Sequence, residues 1–209
     1  MSKWLVLTLA MCLSWGVAAQ ERFIEGRDYM VINKPVKTND ASKIEVREVF
    51  WYGCSHCNDF RPVYENWKSK QPADVDPQHQ PAMWNRPMVT HANIFYTAKQ
   101  LGKLDAMHKD IFDAIHIKRQ RLQREGEIYA LFEKQGVSKE DFDKAFNSFQ
   151  VKTAVKRAEA NAKAYGISGT PEIVVNGKYR VTTRMAGSQA KMLEVADFLV
   201  AKERKAAGS

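Results

Sequence analysis

Residues 43–51 alternate in a period of two. Ile44, Val46, Glu48 and Phe50 share one face, and Glu45, Arg47, Val49 and Trp51 share the other, which predicts a strong β-strand. Residues 29–33 predict a shorter first strand. Residues 34–42, with Pro35 and Asn39-Asp40, predict the loop between the two. After the alternating stretch the period becomes helical. Phe60, Val63, Tyr64 and Trp67 mark a helix over 58–70, and Pro62 inside it predicts a kink. Residues 71–80 are polar, hold Pro72 and Pro77, and read as a loop. Residues 81–89, with Met83 and Trp84, are the next expected strand.

From about residue 90 to 163 the strand signals vanish and helical spacing takes over. Residues 92–102 form one expected helix, and Leu104, Met107, Ile111 and Ile115 mark a second. A third covers 127–135 and stops at Gly136. Ser138 is placed to cap a fourth, which carries Phe142, Ala145, Phe146 and Phe149, with Asp141 in its first turn. Val151, Ala154, Val155, Ala158 and Ala162 stripe a fifth, ended by Gly166. The aromatic stripes read as core. Pro171 then opens the apolar run Ile173-Val174-Val175, since proline is tolerated at the first residue of a strand. Asn176-Gly177 is a type I′ turn signal that joins this run to residues 179–182 as a hairpin. Ser188 starts a last amphipathic helix through Met192, Val195, Ala196 and Leu199, and residues 202–209 read as a basic tail that frays. The pattern predicts an α/β domain over 20–88 and 164–209, interrupted by an all-helical insertion over 89–163.

The N-terminus departs from this pattern. Lys3 precedes an apolar run that ends in Val17-Ala18-Ala19, which predicts a signal peptide over 1–19 and an exported chain. The run is short for a membrane span. Cys12 lies inside it, behind Met11 rather than the small residue of a lipoprotein signal, so it is expected to leave with the peptide. Of three cysteines, Cys54 and Cys57 then remain in an oxidising compartment, too few and too close for a disulfide scaffold. Apolar content of 44% is ordinary for a globular protein. The formal charge is +8, spread out but denser at Lys118-Arg119-Gln120-Arg121 and Arg124. A solvated helix face is expected there, rather than a nucleic-acid surface. A basic surface also suits anionic lipid head groups near a membrane partner. The chain has no internal repeat and no Gly-rich phosphate loop.

The candidate chemistry sits at Phe50-Trp51-Tyr52-Gly53-Cys54-Ser55-His56-Cys57, where the strand gives way to the helix. A sulfur at a helix N-terminus faces unpaired N–H groups and the positive end of the macrodipole, so the Cys54 thiolate is stabilised. Cys57, about one turn on, is expected to be more buried and near enough to close a disulfide. The His56 imidazole is expected to stabilise the Cys54 thiolate further. That favours the reduced form and makes the disulfide an oxidant of other dithiols. Cys54 is then the nucleophile and leaving group, and Cys57 the resolving thiol. A zinc site would need two further ligands, and His79, His91, His108 and His116 are scattered along the chain. A structural disulfide closing so short a loop would stabilise little. Glu48 falls in line with three apolar residues, six positions before Cys54. There a carboxylate can accept or deliver a proton during thiol exchange; the plainer alternative is an edge carboxylate paired with Lys43 or Arg47.

The sequence resembles the DsbA-type periplasmic thiol-disulfide oxidoreductases of the thioredoxin superfamily. The resemblance is carried by Glu-x-Phe-x-x-x-Cys-x-His-Cys at residues 48–57, Gly-Thr-Pro at 169–171 and Val-Asn-Gly-Lys-Tyr at 175–179. It implies a thioredoxin-like fold with a helical insertion, and an enzyme that introduces disulfides into exported proteins with free cysteines. It implies that Pro171 is cis and faces the disulfide, and that Thr170, Pro171 and Ser55 border an extended substrate. Reoxidation by a membrane oxidase of the DsbB kind is implied too, with no cofactor beyond the cysteine pair. Ser55 stands where the best-known member has proline, in a dipeptide that tunes redox potential. The alternatives are a reductase or isomerase of the same fold, or a peptide-binding chaperone with incidental cysteines. A dimeric isomerase usually carries an N-terminal dimerisation domain, and the roughly ten residues before the first strand argue against that alternative. Nothing in the chain suggests a dimer, and a monomer is expected.

Overall fold

The alternating stretch becomes the central strand of a five-stranded mixed sheet. The structure is a computed structural model that describes residues 22–208; the expected signal peptide and Cys12 lie outside the described residues. In chain order the elements begin with β1 (Met30–Val31), β2 (Ile44–Phe50), α1 (Ser55–Lys68) and β3 (Val75–Pro81). Five helices follow: α2 (Arg86–Gln100), α3 (Leu104–His116), α4 (Glu125–Glu133), α5 (Lys139–Phe146) and α6 (Phe149–Tyr165). The chain then returns to the sheet with β4 (Glu172–Val175) and β5 (Tyr179–Thr182), and closes with α7 (Thr183–Ala186) and α8 (Gln189–Ala207). The strand order is β1-β5-β4-β2-β3, with β2 parallel to β3 and antiparallel to β4. This is a thioredoxin-like fold with helices inserted between β3 and β4. Among the described residues no helix is long and apolar enough to cross a membrane.

Alternation along β2 sorts its side chains into separate cores. Val46 packs with Phe60, Tyr64 and Trp67 of α1 and with Met192, Val195, Ala196 and Leu199 of α8. Val49 points the other way, into a core with Val174 and the α6 stripe Val151, Val155, Ala158 and Ala162. Phe50, at the end of the strand, enters a third core together with Tyr52 and Cys57 and with Phe95, Ile111, Phe112 and Phe132 of the inserted helices. The Cys54–Cys57 turn is therefore built into the helical core and does not lie loosely on the sheet. Serine caps start α5, α6 and α8, where Ser138, Ser148 and Ser188 each accept the N–H of the residue three positions on. At the hairpin, Asn176 and Gly177 both take positive φ, and Lys178 N–H donates to the Val175 carbonyl at 2.9 Å. Gly177 is required there, because a Cβ would lie 2.0 Å from the Val36 carbonyl oxygen.

The structure overturns four expectations. The strand expected over 81–89 is absent, and β3 instead occupies the stretch read as a loop. β3 is Val-Asp-Pro-Gln-His-Gln-Pro, which shows no apolar alternation. It pairs as an edge strand, where the missing N–H groups of Pro77 and Pro81 cost little, and its buried polar side chains find partners. The stripe that ended in Phe149 is split, because Ser148 restarts the chain as α6 and leaves Phe149 80% exposed. The basic patch is no helix face. Residues 117–124 form a loop with positive φ at Arg119 and Leu122, anchored by the buried Leu122 side chain. The tail does not fray before Ala207. Buried Glu203 accepts hydrogen bonds from Asn176 Nδ2 at 2.5 Å, Lys178 Nζ at 2.7 Å and Tyr179 Oη at 3.0 Å, which pins α8 to the hairpin turn. α1 runs unbroken through Pro62, whose ring is exposed.

Candidate active site

Cys54 is the N-cap of α1. Its sulfur accepts the backbone N–H of Cys57 at 3.4 Å, the place a serine or aspartate oxygen takes in other helices. No acidic residue stands in the first turn of α1, so the positive helix end is left to the sulfur. Both cysteines are free thiols in this structure. The hydrogen bond from the Cys57 thiol, opposed by partial burial and aided by the backbone N–H groups of Cys57 and His56, lowers the Cys54 thiol to about 5. His56 thus acts on the sulfur through its backbone. Its side chain is exposed, as is Ser55, and its carbonyl accepts Gln189 Nε2 at 2.7 Å, which ties the Cys54–Cys57 turn to α8. Cys57 is fully buried and shifts in the opposite direction. Burial raises its thiol first, then the bond to Cys54 and the nearby charge of Glu48.

Thr170 and Pro171 come to the same place from far along the chain. The peptide between them is cis, and the Thr170 carbonyl oxygen accepts a hydrogen bond from the Cys54 thiol at 3.4 Å. Pro171 is buried and Thr170 is half-buried. Behind them Glu172 folds back, its Oε1 accepting the N–H groups of Ser168 at 3.2 Å and Gly169 at 2.9 Å, so this turn is braced by its own strand.

Glu48 is 1% exposed on the face of β2 that looks toward Cys57. Its partner is neither Lys43 nor Arg47. Arg47 is engaged by Glu45 on the opposite face, whereas Glu48 Oε2 accepts His79 Nδ1 at 2.7 Å. The other ring nitrogen, Nε2, lies 2.9 Å from Glu65 Oε1. Burial alone would push His79 down, but the hydrogen bonds and charges of Glu48 and Glu65 outweigh it and hold the imidazole above its ordinary value. The same hydrogen bond from His79 lowers Glu65 to about 2. His108 lies with its ring centre 4.6 Å from that of His79 and is pushed well down, by burial and then by the His79 charge.

The histidines that look scattered in the sequence converge on the two residues before Gly53. Trp51 Nε1 donates to His91 Nδ1 at 3.0 Å, and His91 Nε2 donates to the Arg121 carbonyl at 3.0 Å. The Tyr52 hydroxyl lies 2.9 Å from His108 Nδ1, and the Tyr52 carbonyl accepts His116 Nε2 at 2.8 Å. Three helical-region histidines thus fix the approach to Cys54. Gly53 makes the turn possible, because a Cβ there would lie 2.3 Å from the Trp51 ring. His79, His91, His108 and His116 could not be assigned from spacing, since each partner is separated by 14 to 64 residues.

Comparison with known proteins points the same way. A family described as DSBA-like thioredoxin domain matches residues 74–195. The thiol:disulfide interchange protein DsbA of Pseudomonas aeruginosa is 39% identical over 206 residues, covering 97% of this chain and 98% of that protein. The protein of the same name from Burkholderia cepacia is 34% identical over 200 residues, covering 94% of this chain and 93% of that one. The crystal structure of Pseudomonas aeruginosa DsbA superposes with a TM-score of 0.85 at 37% identity, covering 90% of this chain and 97% of the other. The oxidoreductase DsbA from Xylella fastidiosa superposes with a TM-score of 0.82 at 32% identity.

Proposed function

This chain belongs to the family of DsbA-like thioredoxin domains, the thiol:disulfide interchange proteins, and from that premise we propose how its residues introduce disulfides into exported proteins. A substrate thiolate attacks Cys54 Sγ of the Cys54–Cys57 disulfide. The bond between the two enzyme sulfurs breaks, Cys57 leaves as a thiolate and takes up a proton, and a mixed disulfide joins Cys54 to the substrate. A second substrate thiolate then attacks the substrate's own sulfur in that mixed disulfide. It expels Cys54 as a thiolate and leaves the substrate oxidised and the enzyme reduced by two electrons.

The observation that carries this reading is the position of Cys54 as helix cap, with its thiol lowered to about 5. A thiolate so stabilised is a good leaving group, which drives electrons from substrate to enzyme. Glu48 manages the proton of Cys57. The exposed Ser55 and His56, with the Thr170 backbone and Pro171, border the groove in which an extended substrate pairs as an added strand. The working compartment is the periplasm, reached through the signal peptide over 1–19. The reoxidant is a membrane oxidase of the DsbB kind. The redox group is the cysteine pair itself, and the working form is a monomer.

The test is the equilibrium of the Cys54–Cys57 pair with a glutathione buffer, followed by Trp51 fluorescence, since the indole lies against Gly53 in the redox turn. Reduction by traces of reduced glutathione is the expected result. A pair that stays oxidised until strongly reducing conditions would sink the oxidase reading and favour a reductant.

A further inference from the structure

Cys57 is buried, yet its thiol must gain a proton when it leaves and lose one when it resolves the mixed disulfide. Glu48 is as buried as Cys57, so it can hold that proton but has no surface of its own to exchange it with water. A proton held by Glu48 therefore needs a route to water, and the structure places groups along one. The two oxygens of Glu48 differ in their partners. Its Oε2 is taken by His79 Nδ1, while its Oε1 is buried with no hydrogen-bond partner among the described residues. Beyond His79, Nε2 meets Glu65 Oε1, and the Glu65 side chain is 40% exposed at a cleft of about 290 Å³ between α1 and α3.

We propose that His79 and Glu65 are the proton outlet of the redox reaction, and that His79 changes its protonation with the redox state of the cysteine pair. This rests on the dithiol oxidase reading and extends it by two positioning residues. In the reduced enzyme Glu48 is a carboxylate and His79 an imidazolium. When Cys54 is held in a mixed disulfide, Glu48 Oε1 takes the proton of Cys57 while His79 passes its Nε2 proton through Glu65 to water in the cleft. The Cys57 thiolate attacks Cys54, the Cys54–partner bond breaks, and the partner leaves as a thiolate. One proton has entered the water, and the Glu48–His79 pair has kept its net charge of zero, now as carboxylic acid and neutral imidazole. In the opposite half of the cycle Glu48 returns its proton to the leaving Cys57 thiolate, and His79 regains one at Nε2 by way of Glu65. Keeping the buried pair neutral avoids an isolated buried charge at either stage.

The surroundings of His79 fit this exchange. The acids that face it are Glu48 from β2 and Glu65 from α1. Tyr64 of α1 and His108 of α3 lie against its ring, and burial keeps the first protonated and the second uncharged. Arg61 and Lys68 of α1, Asp105 and Lys109 of α3 and Lys99 of α2 line the clefts that open beside it, so the outlet ends among charged groups and water.

The experiment follows reduced protein reacting with oxidised glutathione. Alkylation of Cys54 reports the first step, and Trp51 fluorescence reports resolution by Cys57 across pH. His79→Gln and Glu65→Gln should leave alkylation of Cys54 unchanged. They should slow resolution about 100-fold and about tenfold, within and just below the usual contribution of positioned proton transfer, and remove its pH dependence near neutrality. Added imidazole should restore part of the rate to His79→Ala. In the unmodified protein, the nuclear magnetic resonance signals of the His79 ring should report imidazolium when the pair is reduced and neutral imidazole when it is oxidised. Unchanged His79 signals between the two redox states would overturn the proposal, as would wild-type resolution rates in both Gln variants. Slow resolution with an unaltered pH profile would mean a structural role only, and would overturn it too. Failure of the unmodified protein to form the Cys54–Cys57 disulfide at all would instead bring down the oxidase reading on which the proposal rests.

Discussion

Cys54 and Cys57 share one helical turn, yet their surroundings push their thiols in opposite directions. Cys54 sits at the rim, where the Cys57 thiol and the N–H groups of the first turn point at its sulfur, and its thiol falls to about 5. Cys57 sits inside the aromatic core formed with Phe50, Tyr52 and Phe112, close enough to Glu48 to feel its charge, and its thiol rises. The helix N-terminus offers its N–H groups to the Cys54 sulfur, whereas burial dominates at Cys57, so the difference comes from capping on one side and desolvation on the other. One face of the pair is built to meet a substrate as an anion, and the other to stay neutral until the chemistry needs it.

The largest expected effect tests that division of labour. Cys54→Ser should abolish dithiol oxidation outright, because no nucleophile or leaving group remains at the rim. Cys57→Ser should still be attacked when Cys54 is activated as a mixed disulfide, and should trap the substrate adduct, visible by mass spectrometry. A peptide-binding activity that survives Cys54→Ser unchanged would speak for a chaperone.

A second test uses pH. Cys54 is depressed from the free-thiol range near 9 to about 5, so it stabilises the reduced fold fully above pH 9, and that contribution is lost as pH falls toward 5. Cys57 is raised, so it acts with the opposite sign. Above the free-thiol value the unfolded chain ionises there and the folded chain does not, and stability declines. Denaturant unfolding of the reduced protein should therefore show a rise in stability from pH 5 to 9 that the oxidised protein lacks. Equal pH profiles for the two forms would contradict the comparison.

The smallest effect concerns the turn between the two environments. Gly53→Ala would drive a Cβ to 2.3 Å from the Trp51 ring and displace the indole from His91. Overpacking of this kind costs about 1–3 kcal/mol. Thermal unfolding should show that loss, together with an altered Trp51 fluorescence. A neutral substitution would mean that the clamp on Trp51 is slack.

The cysteine pair and Glu48 were legible in the chain, and the histidines behind them were not. The Cys-x-x-Cys at a strand-to-helix junction announces Cys54 by local physics, since a helix N-terminus acts within one turn. Glu48 was visible because alternation along β2 set a charge among apolar neighbours. His79 was hidden because β3 breaks the rules by which strands are recognised, with two prolines, two glutamines and a single apolar side chain at its start. A polar edge strand is held by partners that only the folded chain brings up, here Glu48 and Glu65 for His79 and the Ala158 carbonyl for Gln80. His56 illustrates the converse. Its place between the cysteines suggested an imidazole effect, but the fold uses its N–H and leaves the ring exposed.

By itself, then, the sequence determined what depends on neighbours in the chain: the central strand, the amphipathic helices, the Asn176-Gly177 turn and the cysteine at the helix start. Tertiary structure alone decided what depends on distant segments. It set the Thr170 carbonyl against Cys54 across 116 positions, gathered three histidines onto Trp51 and Tyr52, and linked Glu48 through His79 to Glu65. Periodicity and capping are properties of a few successive residues. Burial, charge pairing and the thiol shifts they cause arise only when separate segments exclude water together.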